Sequence, residues 1–142
     1  MDRRQADRAI AAVATNQYGI FTRAQAATAG LTDRQLRSRL ECGRIERITR
    51  HVFRIAGCSP SWRQRLMTAC LAAGDGAAAS HRSAAALHRF DGYQQGIIEI
   101  TVPQDRRDFR MVGVVVHSSS YWSEEDVAIV DGIPVATAER TL

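Results

Sequence analysis

The chain contains no lysine, so all 19 of its basic residues are arginine. Such a bias suits a GC-rich genome, whose codons favour Arg and Ala. It also suits DNA recognition, because the guanidinium fork matches phosphate and guanine. Cysteine is equally sparse: Cys42, Cys58 and Cys70 are odd in number and include no Cys-x-x-Cys pair. That excludes a disulfide scaffold and a cysteine-built zinc site, and it fits a reducing, cytoplasmic setting. No apolar run approaches the roughly 20 residues that span a bilayer. The N-terminal stretch MDRRQADRAIAAVA mixes acids with arginines and has no apolar core of signal-peptide length. No Gly-rich phosphate loop and no G-x-S-x-G elbow is present.

What remains is a chain of globular composition, 45% hydrophobic and 24% charged over 142 residues. The net charge of +4 conceals an uneven distribution. Residues 1–65 hold 13 Arg against 5 acids, a net of +8, while residues 66–142 hold 6 Arg against 10 acids, a net of −4. A basic front and an acidic back are the first functional clue. We read an α+β fold: a winged helix-turn-helix over residues 1–57, then a small mixed α/β domain over 58–142 with two helices and about four strands.

The punctuation of the front supports this division. Asp2 caps a helix whose apolar stripe is Ala6, Ile10, Val13 and Ala14, closing at Gly19. Thr22-x-x-Gln25 is a capping box for a short second helix that ends at Gly30, with Ile20 and Phe21 as anchors before it. Thr32-x-x-Gln35 opens a third helix that ends at Gly43. Leu31, Leu36 and Leu40 turn inward, which leaves Arg34, Gln35 and Ser38 outward with Arg37 and Arg39 on the flanks. Arg and Gln are the side chains that read guanine and adenine edges, and recognition helices present them from their first turns. Residues 44–56 then read as strands Ile45–Ile48 and Val52–Ile55, with Ile48, Phe53 and Ile55 facing the core. Thr49-Arg50-His51 join them, and Arg44, Arg47, Arg50 and Arg54 decorate the hairpin, a wing tipped with Arg and His and suited to an adjacent groove or backbone.

Candidate DNA-contacting residues are therefore Arg34, Gln35 and Ser38 for bases, and Arg23, Arg37, Arg39, Arg44, Arg47 and Arg50 for phosphate or wing contacts. Gln25, Thr32 and His51 complete the candidate surface. The expected partner is double-stranded DNA.

In the back half, Ser59-Pro60 reads as a cap with Pro at the first helical position, followed by Trp62, Leu66, Cys70 and Leu71 at helical spacing up to Gly74. Ser80 is read as the cap of a second helix, SHRSAAALHRF, ended by Asp91-Gly92. Strands are expected at Ile97–Val102, Val112–His117, Val127–Val130 and Ile133–Val135, the last two joined by an Asp131-Gly132 hairpin turn. Thr137 caps a last short helix, with Leu142 either packed into the domain or leading into a longer protein. No residue is read as catalytic or as a metal ligand, and no cofactor is expected. His81 and Ser83 read as helix-start residues, His117 as a strand end, and Glu124-Glu125-Asp126 as a solvated turn.

Together the stretches IFTRAQAATAGLTDRQLRSRLECGRIERITRHVFRIAG, SHRSAAALH, IEITVP and VDGIPVATAERTL resemble the AbiEi-type antitoxins of type IV toxin–antitoxin systems, in their actinobacterial form. The resemblance implies a winged-helix domain that binds operator DNA upstream of its own operon and represses it. It also implies a C-terminal region that counters a nucleotidyltransferase-like toxin. Two other readings stand beside it: the DNA-targeting front of an endonuclease-like protein, and a protein-interaction module without DNA binding.

Overall fold

The computed structural model describes residues 2–141, so the expectation attached to Leu142 lies outside the described residues. Among these residues the chain forms six α-helices and two sheets. It divides into two compact units, Met1–Pro60 and Ser61–Leu142. Counted over these units, the first carries eleven arginines against five acids (net +6), and the second eight against ten (net −2).

The first unit follows its punctuation closely. Helix α1, Arg3–Thr15, begins at a capping box between Asp2 and Gln5, and it stops before Gly19 at the C-cap Asn16. Strand β1, Ile20–Thr22, leads straight into α2, Arg23–Thr28, and then α3, Asp33–Glu41. Both short helices begin at Thr–Gln capping boxes. Gly30 and Gly43 follow the C-caps Ala29 and Cys42 with φ of +101° and +78°, the left-handed region that glycine enters without steric cost. Strands β2, Ile45–Arg47, and β3, Val52–Ile55, form the wing hairpin. Ile20 and Phe21 do more than anchor α2: β1 pairs antiparallel with β3, giving a three-stranded sheet of order β1-β3-β2. Phe21 and Phe53 lie opposite each other in that register and stack at 5.7 Å. They join Ala6, Ile10, Ala14, Leu31, Leu36 and Ile45 in one core. Val52 and Phe53 are the fully buried residues of β3, while Ile48 and Ile55 are half-buried.

The second unit is a mixed five-stranded sheet of order β6-β5-β4-β8-β7. Its strands are β4 Ala78–Ala79, β5 Ile98–Pro103, β6 Val114–Ser119, β7 Val127–Val130 and β8 Ile133–Ala136. The central β4 is only two alanines long. It pairs antiparallel with β5 and parallel with β8, so it joins the two outer pairs into one sheet. β5 and β6 run parallel, and β7 and β8 form the hairpin turned by Asp131 and Gly132, both at positive φ. Leu66, Ile100, Val102, Ile133 and Val135 are fully buried.

Several boundaries differ from the sequence reading: β2 ends at Arg47 and not Ile48, β5 and β6 are shifted by one and two residues towards the C-terminus, and β8 runs on to Ala136. Helix α4, Trp62–Ala73, is capped by Ser61, whose Oγ accepts from the Gln64 N–H at 3.0 Å; Pro60 therefore precedes the cap instead of opening the helix. Helix α5, His81–Leu87, stops a turn early because Arg89 adopts φ +59° and the Phe90 N–H closes back onto the Ala85 carbonyl. Ser80 precedes α5 but makes no side-chain cap. A final turn, α6 Ala138–Thr141, follows β8.

Candidate nucleic-acid interface and a second polar cluster

Helix α3 is two-faced. Leu36 is 2% exposed and packs in the core, whereas Arg34, Arg37 and Ser38 are exposed. No ion pair among the described residues engages Arg34 or Arg37. Arg44, Arg47, Arg50 and His51 are likewise exposed on and beside the wing. Arg47 lies over the Phe53 ring at 5.5 Å, so part of its stem is held against the hairpin.

The other candidates carry structural duties. Arg39 is buried: its Nε donates to Asp7 Oδ1 at 2.8 Å and its Nη1 to the Gln35 carbonyl at 3.1 Å. It ties α3 to α1 and is turned inward, away from the outer flank where the helical wheel puts it. The wheel placed it outside because Asp7, the acid that draws it in, lies 32 residues earlier. Gln25 is half-buried and its amide is engaged within the unit: Oε1 accepts from the Thr22 N–H and Nε2 donates to Gln17 Oε1, both at 2.9 Å. Thr32 Oγ1 accepts from the Gln35 N–H at 3.1 Å, and Gln35 Oε1 accepts from the Thr32 N–H at 2.9 Å. Thr32 keeps its hydroxyl proton and Gln35 its NH2 donors. Arg23 pairs with Asp33 at 3.2 Å, and its backbone N–H bonds the His51 carbonyl at 2.8 Å, fastening the start of α2 to the wing. Arg54, paired with Glu46 across β2 and β3 at 2.6 Å, neutralises one more charge.

Three short helices, the third presenting exposed arginines, followed by an Arg-bearing hairpin sealed to β1, define a winged helix-turn-helix unit. Residues 8–56, wholly inside that unit, match the model of a family described as "Transcriptional regulator, AbiEi antitoxin". The matched stretch is 49 of the 142 residues, about a third of the chain. No curated protein matches the chain. No described helix is long and apolar enough to cross a membrane.

The second unit holds a cluster that the sequence reading passed over. His81, Glu99 and His117 each bring a ligand-type atom to within 4.8 Å of the others. Glu99 on β5 is 7% exposed. Its Oε2 lies 2.9 Å from His117 Nε2 on β6, and the His81 and His117 rings are 3.9 Å apart. Arg82 approaches Glu99 Oε1 at 3.8 Å. Burial and then His117 hold the His81 imidazole below its ordinary pKa, against an opposing pull from Glu99. Ser83 is structural, donating to the Ile97 carbonyl and accepting from the Glu99 N–H. His88 bonds the Ala136 carbonyl at 2.7 Å.

Proposed function

We propose that the protein is a cytoplasmic, sequence-specific DNA-binding repressor, the antitoxin of a type IV toxin–antitoxin operon that it autoregulates. Its direct partner is double-stranded operator DNA upstream of its own gene, and the toxin it counters is nucleotidyltransferase-like. The observation that supports this reading is the sorting of the arginines in the first unit. Arg23, Arg39 and Arg54 are consumed by Asp33, Asp7 and Glu46. Arg34, Arg37, Arg44, Arg47 and Arg50 stay exposed on α3 and the wing. Arg3, Arg4 and Arg8 on α1 are exposed as well, so what supports the reading is that five exposed arginines fall on the recognition helix and the wing, the two elements that meet DNA in such units.

In this reading Arg34, the NH2 of Gln35 and Ser38 meet base edges, while Arg37 and the wing arginines meet phosphates. Neutralising about four phosphates through Arg37, Arg44, Arg47 and Arg50 gives a log K that falls with log salt at a slope of about −3.6. Fluorescence anisotropy on a labelled duplex from the upstream region tests it. Arg34→Ala is expected to weaken binding about 10- to 100-fold and to relax sequence preference. A salt-independent signal, or full affinity retained by Arg34→Ala combined with Arg37→Ala, would refute it.

A further inference from the structure

His81, Glu99 and His117 come from three separate elements, and nothing in the DNA-binding reading uses them. His81 is the first residue of α5; Glu99 and His117 lie on the paired strands β5 and β6. In the parallel register Glu99 lies opposite Val115 and His117 opposite Thr101, so the two share a face of the sheet one diagonal step apart. Two imidazoles and a carboxylate are a ligand set that zinc-class ions take from proteins. A tetrahedral ion with bonds of about 2.0–2.1 Å needs donor atoms about 3.3 Å apart. The Glu99–His117 pair already stands at 2.9 Å, and the whole set lies within 4.8 Å.

Two further features mark the place. His81 holds φ at +50°, a left-handed conformation that is strained for a residue other than glycine. The sheet side of the cluster is anchored in the backbone: the Glu99 N–H donates to Ser83 Oγ at 2.8 Å, and the Glu99 carbonyl accepts from the Ser80 N–H at 3.0 Å. His81 and Glu99 also line an open cleft of about 680 Å³, together with Arg82, Phe90, Tyr93 and Val115.

We propose that His81, Glu99 and His117 form a divalent transition-metal site of the zinc class, with its open coordination position towards this cleft. Three protein ligands leave the fourth position of a tetrahedral ion for water or an incoming ligand. Binding replaces the Glu99–His117 contact with two bonds to the ion and draws the His81 nitrogen inward by up to about 1.5 Å. Arg82, more than half exposed, sits on the rim as a fixed cation for an anionic ligand atom.

The test uses the full chain stripped with chelator and titrated with ZnCl2 by calorimetry, with CoCl2 followed by visible absorption as a second probe. The expected result is one ion per chain and a tetrahedral Co²⁺ spectrum. His81→Asn keeps a residue tolerant of positive φ, Glu99→Gln keeps shape and an acceptor, and His117→Ala removes the third donor. Each should weaken Zn²⁺ binding at least 100-fold while circular dichroism shows the native fold. The Cys42→Ser/Cys58→Ser variant, which removes the two accessible thiols, should bind as the parent does. The proposal is overturned if the parent binds no Zn²⁺ at millimolar concentration, if the cysteine variant abolishes binding, or if folded His81→Asn and Glu99→Gln both bind as tightly as the parent. Should either substitution prevent folding, the His117→Ala titration and the parent's Co²⁺ spectrum decide alone.

Discussion

Arg37 and Arg39 stand two positions apart on α3, and their surroundings assign them opposite duties. Arg37 is exposed, whereas Arg39 is 7% exposed and bonded to Asp7 and the Gln35 carbonyl. Removing Arg39 leaves Asp7 able to rehydrate, since its side chain is 40% exposed, so the cost falls below that of a fully buried pair. Arg39→Ala should lower stability by about 1–2 kcal/mol in urea melts while leaving the salt slope of DNA binding unchanged in folded protein. Arg37→Ala should do the reverse, staying within about 0.5 kcal/mol of the parent and flattening the slope by about 0.9. A flattened slope for Arg39→Ala would return that residue to the interface. The cysteines divide in the same manner. Burial pushes the Cys70 thiol up to about 12 against a smaller opposing backbone hydrogen bond at Ala79, so at pH 8 it is almost entirely protonated and inert. Cys42 is exposed. Iodoacetamide at pH 8 should therefore modify Cys42 in the native protein, with Cys70 reached only after unfolding, as peptide mass mapping would show.

At the scale of elements, the parts legible in the sequence are those whose causes lie within a few residues. Asp2/Gln5, Thr22/Gln25 and Thr32/Gln35 all form reciprocal capping boxes, and Gly30, Gly43 and the Asp131-Gly132 turn fall where local geometry needs positive φ. Elements made by distant partners escaped. Ala78-Ala79 has no strand signature by itself and becomes β4 only because β5 and β8 flank it. Ile20–Thr22 becomes a strand because β3 is there to pair with it. The candidate DNA face was readable from one helical wheel, except where Asp7 reaches across from α1. The His81–Glu99–His117 cluster was unreadable because its members lie 18 residues apart twice over and meet only through a parallel strand pair and a helix start. Gln35 joins the local and distant levels, since its Oε1 completes the box that starts α3 while its NH2 stays unbonded within the unit. Gln35→Glu keeps the acceptor that the box requires and removes those donors. The expected outcome is a melting temperature within a few degrees of the parent and DNA binding weakened about 10-fold or more, through lost base contact and added repulsion. Equal loss of helix stability and affinity would mean that Gln35 only supports α3.

At the scale of the molecule, formal charge is partitioned with the fold: net +6 on Met1–Pro60 and net −2 on Ser61–Leu142. All five exposed, unpaired arginines of the proposed DNA face belong to the first unit. The acidic excess of the second can act on DNA only through the field it adds, and that field is screened over about 30 Å at 0.01 M salt but about 8 Å at 0.15 M. A chain ending at residue 60, its fold checked by circular dichroism, should therefore bind a non-operator duplex more tightly than the full chain at 10–20 mM salt. The difference should shrink towards nothing at 150 mM. Because the same arginines displace the counterions in both proteins, the slopes of log K against log salt should agree within about one unit. If the short chain binds more weakly at every ionic strength, the second unit touches DNA itself, and the division of labour inferred from charge would have to be redrawn. Convergence at physiological salt would instead mean that the acidic unit adds only a long-range field to DNA binding.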